Sequence, residues 1–415
     1  MTHKMTPKLL VSIAAMFLAT QAWADPETVL WNFNLANGNA GNPFANNLIS
    51  NGLNFYGVTW EGGNYPGCLN GCGTVFELSP NSDGGWNETL LYSFDPVNGS
   101  DGSNPVGGLV RDRQGNLYGA TYFGGSSTNC NNGCGTIFEL TPSSSGWTET
   151  VLYSFTGNAD GNYPYSTLAM DGEGNLYGTA YGGGSDALGT VYELSASSTG
   201  MWVLTTLHSF TGGPDGSYPE GAVVFDMMGN LCGTTSGGGP YGYGSVYQLS
   251  RGLNGWTEKI LHGFDVTDGA SPAWVSVTMD KAGNLYGTTQ DGGANNTGTV
   301  WELVYSANYA EIVLHSFGPK GGKDGNYPWA GVMISRDGTL YGTTVQGGTD
   351  DWGIIFALTK SSSRNWTERI LHSFTGGDDG GQPSGGLLYG DNDRQYGIAG
   401  AGGSDGVGVV FEMAP

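Results

Sequence analysis

Histidines, cysteines and carboxylates are the usual carriers of catalysis and metal binding, and here most of them recur at fixed intervals. His208, His262, His315 and His372 each stand two residues before a Phe, the place that Tyr92 and Tyr153 hold elsewhere. Four equivalent imidazoles, one per repeated unit, do not converge on one substrate or ion. A Ser-His-Asp triad and a histidine zinc site are therefore disfavoured. Glu77, Glu139, Glu193, Glu302 and Glu412 recur at a second position, and Glu88, Glu149, Glu258, Glu311 and Glu368 at a third. Both sets read as solvated or hydrogen-bonded sheet positions. An Asp-Gly-x-x-Pro segment offers one Asp per unit. Hard cations such as calcium bind through such oxygens, but an Asp before Gly in a tight turn more commonly accepts backbone hydrogen bonds. The turn role is the expectation, with no metal or other cofactor. The chain also lacks a Walker motif, a dinucleotide fingerprint and a His-Glu-x-x-His pair.

Cys68 and Cys72 share one loop, and Cys130 and Cys134 the same loop of the next unit. In an oxidising compartment two local disulfides are expected; a four-thiolate metal site joining the units is the alternative. Cys232 replaces a repeated Tyr and reads as a buried free thiol.

The residues that break the repeat carry more information. Just after the Pro of each Asp-Gly-x-x-Pro segment the side chain varies: Phe44, Val106, Tyr165, Glu220, Ala273-Trp274, Trp329 and Ser384. Large aromatics with few charges suit sugar rings, whose C–H faces stack on aromatics while hydroxyls find polar groups. Phe44, Tyr165, Glu220, Trp274 and Trp329 are thus the candidate ligand-binding set, with Tyr122, Tyr181, Tyr241 and Tyr243 as further lining. The competing reading is that these aromatics plug a channel. Glu220 is the weak catalytic candidate, since glycoside hydrolysis would need a second carboxyl across the site.

The elements that position these groups follow from four signals in fixed order. They are Leu-x-x-Phe, Asp-Gly-x-x-Pro, a Leu-Tyr-Gly step, and a Gly-Thr-Val-Phe-Glu-Leu segment starting at Gly73, Gly135, Gly189, Gly244, Gly298, Gly353 and Gly408. Seven copies fill residues 25–415. In the second copy the turn chemistry predicts strands over 107–112, 117–122, 135–141 and 147–155. Four antiparallel strands repeated seven times predict an all-β, seven-bladed propeller. The seventh copy stops after its third strand, Val409–Met413, while Glu27–Phe33 reads as an orphan fourth strand. Pairing the two closes the ring and removes an open sheet edge.

Leu-Tyr-Ser-Phe, Asp-Gly-x-x-Pro, Gly-Asn-Leu-Tyr-Gly-Thr-Thr and Gly-Thr-Val-Phe-Glu-Leu together resemble the GloVer tandem repeat of exported bacterial "choice-of-anchor" proteins. The Asp-x-x-Gly-Asn-Leu-Tyr turn is more loosely similar to NHL and gluconolactonase-type propellers. The resemblance implies a secreted or surface-linked propeller and carries no catalytic residues. No sorting tail follows the last copy, so an anchor is not expected.

Composition bounds the partners. Lys and Arg number 14 against 37 Asp and Glu, a formal charge of −23. Nucleic acid, which needs cations against its phosphates, is excluded, and anionic membrane surfaces are disfavoured. Lys4 and Lys8, the apolar run from Leu9 to Ala19, and Ala22-Trp23-Ala24 read as a signal peptide over 1–24, cleaved after Ala24. That run is too short to span a bilayer. The expectation is an exported, secreted or periplasmic monomer, a non-enzymatic binding or scaffold propeller with a carbohydrate or cell-surface glycan as ligand. A propeller-type glycan hydrolase or lyase, and a purely structural surface protein, are the alternatives.

Overall fold

The computed structural model describes residues 27–414 apart from 45–46, 65–66, 97–99, 254, 275, 362–364 and 391–392. The expected signal peptide lies outside the described residues. Seven four-stranded antiparallel sheets form the blades of a propeller. Blade 2 is typical, with strands Gly102–Arg111, Leu117–Gly124, Thr136–Ser143 and Gly146–Ser154 in spatial order. Its first turn closes as the sequence predicts: Gly115 sits at φ 98° and donates its N–H to the Asp112 carbonyl. Blade 7 takes its fourth strand from the start of the chain, Glu27–Asn32 pairing antiparallel with Val409–Met413. No helix among the described residues is long and apolar enough to cross a membrane.

Two details depart from the sequence reading. The innermost strand has only two residues in every blade but the second, as in Ala169–Met170 and Thr278–Met279. In blade 2 the loop pairing of Gly102 with Gly124 and the inner pairing of Val110 with Tyr118 fall in one strand, whereas in blades 1, 3 and 6 the loop pairs as a short strand of its own. The outer strand does not alternate throughout. In all seven blades its register slips by one at the Leu of Leu-x-x-Phe, for example Leu152 between Val151 and Tyr153. This β-bulge bends the outer strand and turns the following Phe toward the next blade.

The repeated motifs are the contacts between blades. Each motif Phe is buried and packs at an angle on the central aromatic of the next blade's third strand. Phe94 meets Phe138, Phe155 meets Tyr192 and Phe264 meets Trp301, with centroids 5.1, 5.2 and 5.8 Å apart. The Gly of Leu-Tyr-Gly lies under that aromatic; a Cβ on Gly119 would stand 2.5 Å from Phe138 Cζ. Each Pro of Asp-Gly-x-x-Pro rests on the first Gly of the preceding blade's third strand, as Pro164 does on Gly135 and Pro43 on Gly408. Leu, Phe, Gly and Pro recur because each occupies the same place at every seam.

Candidate functional site

The aromatics that break the repeat come together at one end of the central channel. Trp274 and Trp329 lie edge to face with centroids 4.6 Å apart, and Phe44 meets both, at 6.3 and 5.9 Å. Tyr165 stacks on Trp274 at 6.2 Å and meets Tyr122 edge-on at 5.5 Å. Tyr122 leads to Trp60 at 5.9 Å, and Trp60 returns to Phe44 at 6.4 Å. Phe44, Trp60, Tyr122, Tyr165 and Trp274 thus form a closed circuit of rings, each only partly buried.

Backbone geometry aims these rings. The residue before each loop Pro is left-handed in all seven copies: Asn42, Asn104, Tyr163, Tyr218, Ser271, Tyr327 and Gln382 have φ between 50° and 57°. Each donates its N–H to a carbonyl just before the preceding blade's third strand, as Tyr163 does to Cys134 at 2.8 Å. Those bonds hold a conformation that L-residues seldom adopt. Trp274 is itself left-handed, at φ 57°. The segment therefore doubles back on the preceding blade and delivers the next side chain toward the axis.

Below the aromatics lies a cavity of about 340 Å³, walled by small residues such as Gly107 and, just before the inner strands of other blades, Ser166, Ala222, Ser276 and Gly331. Glu220 stands at its rim with Tyr165 and Trp274. Glu220 Oε1 lies 3.5 Å from Ser236 Oγ, the Trp274 N–H also faces the carboxyl, and Oε2 is buried without a hydrogen-bond partner. Desolvation raises the Glu220 pKa to about 7, against those two bonds, so much of the group is protonated at neutral pH. The Tyr165 hydroxyl is held far above its ordinary value by burial, then by Glu220 and Tyr122. Trp329 Nε1 is a second buried polar atom with no partner among the described residues. The rim thus offers apolar faces and a carboxyl that can donate or accept. Glu220 is the one acid among the described residues lining the cavity.

Phe44, Tyr165, Glu220, Trp274 and Trp329 therefore share one site, as does Tyr122. Tyr181 stacks on Tyr218 at 5.0 Å beside that rim, whereas Tyr241 and Tyr243 project into solvent, 64% and 47% exposed. Trp60, Phe123 and Tyr163 were missed. Trp60 occupies the variable place of Tyr122 and Tyr181 after Leu-Tyr-Gly-x-Thr, so the signal was present in the chain.

The other candidates serve the frame. Cys68–Cys72 and Cys130–Cys134 are disulfides, and Cys232 is a buried free thiol. Each repeated His or Tyr holds the Asp of its own Asp-Gly-x-x-Pro loop. His262 Nε2 is 2.9 Å from Asp268 and His372 Nε2 3.1 Å from Asp379, while the Tyr92 hydroxyl donates to Asp101 at 2.9 Å. Backbone N–H groups complete these loops, as Asp95 N–H does on Asp101 and Gly318 N–H on Asp324. The strand-four glutamates differ from the sequence reading. They are not solvated: four face these pairs across the blade seams and Glu88 faces Trp31, and burial raises all five to about 7 or, for Glu258, about 8.

The profile of the Gloeobacter/Verrucomicrobia repeat matches residues 66–299 and 275–415. The chain belongs to that repeat family. No curated protein matches it. Among solved structures, a protein from Lactobacillus plantarum is similar at 13% identity and a TM-score of 0.54, covering 84% of this chain and 89% of that one. A Dyadobacter fermentans protein of unknown function aligns over 93% and 98% of the two chains, with 13% identity and a TM-score of 0.44. Trypanosoma rangeli sialidase aligns at 12% identity and a TM-score of 0.40, covering 80% of this chain and 57% of its own. At such identities the Lactobacillus plantarum likeness speaks for the fold alone, and the other two scores are too low to carry an argument. What this repeat protein does must be read from its own site.

Proposed function

We propose that this repeat protein is an exported propeller that binds a carbohydrate on the aromatic mouth of its channel without transforming it. The observation that carries the reading is the closed circuit of part-exposed rings with Glu220 beside it. Aromatic faces take the C–H faces of a sugar, and the Glu220 carboxyl supplies a directional partner for its hydroxyls. A formal charge of −23 favours a neutral ligand over an anionic one. Export rests on the leader over 1–24 and on two disulfides, which persist in oxidising compartments. The test is a glycan array on the chain from residue 25, beside the Trp274→Ala/Trp329→Ala variant. Retention of a neutral glycan that the variant loses is the expected result; a parent that retains none overturns the reading.

The protonated character of Glu220 favours, as a second reading, general-acid cleavage of a glycosidic bond. That chemistry needs a partner carboxyl or another nucleophile, and the described cavity lining supplies Glu220 alone. Release of reducing sugar that disappears in Glu220→Gln would establish this activity instead.

A further inference from the structure

A second concavity lies beside the mouth, between blades 1 and 2. It is a groove of about 720 Å³ whose lining includes Trp60, Glu61, Leu69, Asn104, Phe123 and Asn132. Trp60 belongs both to the circuit of rings and to this groove, and its ring lies 6.1 Å from that of Phe123. The aromatic surface therefore runs from Trp274 through Phe44 and Trp60 to Phe123, in ring-to-ring steps of 6.3, 6.4 and 6.1 Å. The three steps are edge-to-face contacts, so the rings form one continuous apolar strip from the mouth into the groove.

Only these two blades have the lengthened, cysteine-bearing loops, and the loops closed by the two disulfides give Cys68, Leu69, Asn132 and Gly133 to the groove's walls. Asn70 and Asn132, left-handed at φ 62° and 63°, pass their carbonyls to Gly62 and Gly124 N–H, each at 2.7 Å. The walls are thus built twice by the same local device and fixed covalently, which lowers the ordering cost of binding. Side-chain amides and Glu61 supply polar groups, and the lining carries no Lys or Arg. Leu69 projects at the edge, 90% exposed.

We infer that the ligand is a linear, neutral polysaccharide, held over several consecutive units from the channel mouth into the groove between the disulfide loops. The inference rests on the mouth being a glycan site and adds the class of glycan and the direction it runs. The absence of cations in the groove and the acidity of the whole chain exclude polyuronates and other anionic polymers, which would meet Glu61 as a like charge.

The test is affinity against chain length. Linear gluco- and manno-oligosaccharides of two to eight units, in β-1,4, β-1,3 and α-1,4 series, are titrated into the chain from residue 25. The same titrations are run on Leu69→Asp, Phe123→Ala and their combination. The expected result is a best-bound series whose hexasaccharide binds roughly tenfold more tightly than its disaccharide, a gain that falls below about threefold in the double variant. Disaccharide binding that persists in that variant shows that its mouth is folded. Affinity independent of length, or a length gain that survives in the groove variants, overturns the inference while leaving the mouth site standing. Failure of every oligosaccharide to bind, or binding indifferent to Trp274→Ala/Trp329→Ala, overturns the mouth reading and this one with it.

Discussion

His208 of blade 3 and Glu258 of blade 4 face each other across a seam, Nε2 to Oε1 at 3.8 Å, with Asp215 3.4 Å from the same imidazole. The arrangement recurs where His315 meets Asp324 at 3.3 Å and Glu368 at 3.9 Å. Oε1 is buried in all five strand-four glutamates and has no hydrogen-bond partner in Glu149, Glu258 and Glu311. Burial is the first cause of each raised pKa, and in the last four a neighbouring Asp adds to it.

The sign of the pH dependence follows. A carboxyl whose folded pKa lies above its unfolded value stabilises fully below the unfolded pKa and loses that contribution as pH rises through the folded one. With five groups raised to about 7 or 8, the melting temperature should fall as pH rises from about 5 to about 9. Glu258→Gln, which keeps shape and removes the ionisation, should flatten part of that decline. Melting curves across the range check it; a temperature that rises toward pH 8 contradicts the seam assignment.

Ring closure gives a second expectation. Phe33, on the strand that completes blade 7, stands edge-on to Phe76 of blade 1, with centroids 5.2 Å apart. Phe33→Ala should cost about 3–5 kcal/mol, as much as a Phe at any internal seam. Removing residues 27–33 should also bare the edge of Val409–Met413 and promote self-association. Denaturant unfolding and sedimentation measure the two effects. A truncated chain that stays monomeric and equally stable contradicts the closure.

Glycine supplies a matched pair. On Gly287 a new Cβ would lie 2.4 Å from Trp301 Cζ2, whereas on Gly172 it would meet nothing within 4 Å. Gly287→Ala should lose about 1–3 kcal/mol by overpacking the seam. Gly172→Ala should be neutral or slightly stabilising through the unfolded chain. Equal effects in urea unfolding would mean the aromatic does not pack on the Leu-Tyr-Gly glycine.

The mouth separates binding from packing. Trp274→Ala/Trp329→Ala removes part-exposed rings, so it should lower stability less than Phe138→Ala, whose ring is fully buried. Each lost stacking contact is worth about 0.5–1.5 kcal/mol, so a modest binder should weaken roughly tenfold. Calorimetry of both variants checks this. A mouth double variant that melts as low as Phe138→Ala, from a parent that binds no sugar, would identify the rings as a plug.

Much of this was legible because each motif residue meets the same neighbour seven times. Phe, Gly and Pro at fixed spacing encode one seam, and a seam repeated seven times defines a ring. The aromatic convergence was legible from the variable place after each loop Pro, since that place alone departs from the repeat near the axis. Two things needed three dimensions. His208 and Asp215 are both regular repeat residues, and their pairing appears only when the loop folds back over its own outer strand. The groove joins Trp60 to Phe123 from separate blades, and although Trp60 stands at a variable place, nothing in either copy shows that the two rings meet.

The residues that join blades and the residues that line the mouth occupy different places in each unit. Phe, Gly and Pro make the repeated joints between blades; the residue after the loop Pro and the variable residue that ends the Leu-Tyr-Gly strand meet their neighbours only around the mouth. A copy can therefore diverge at those two places while its joints stay intact. Duplication of one unit would give a ring in which recognition evolves blade by blade. An engineer could likewise place the Trp329 ring at the matching position of blade 7, Ser384, and leave the joints of that blade as they are.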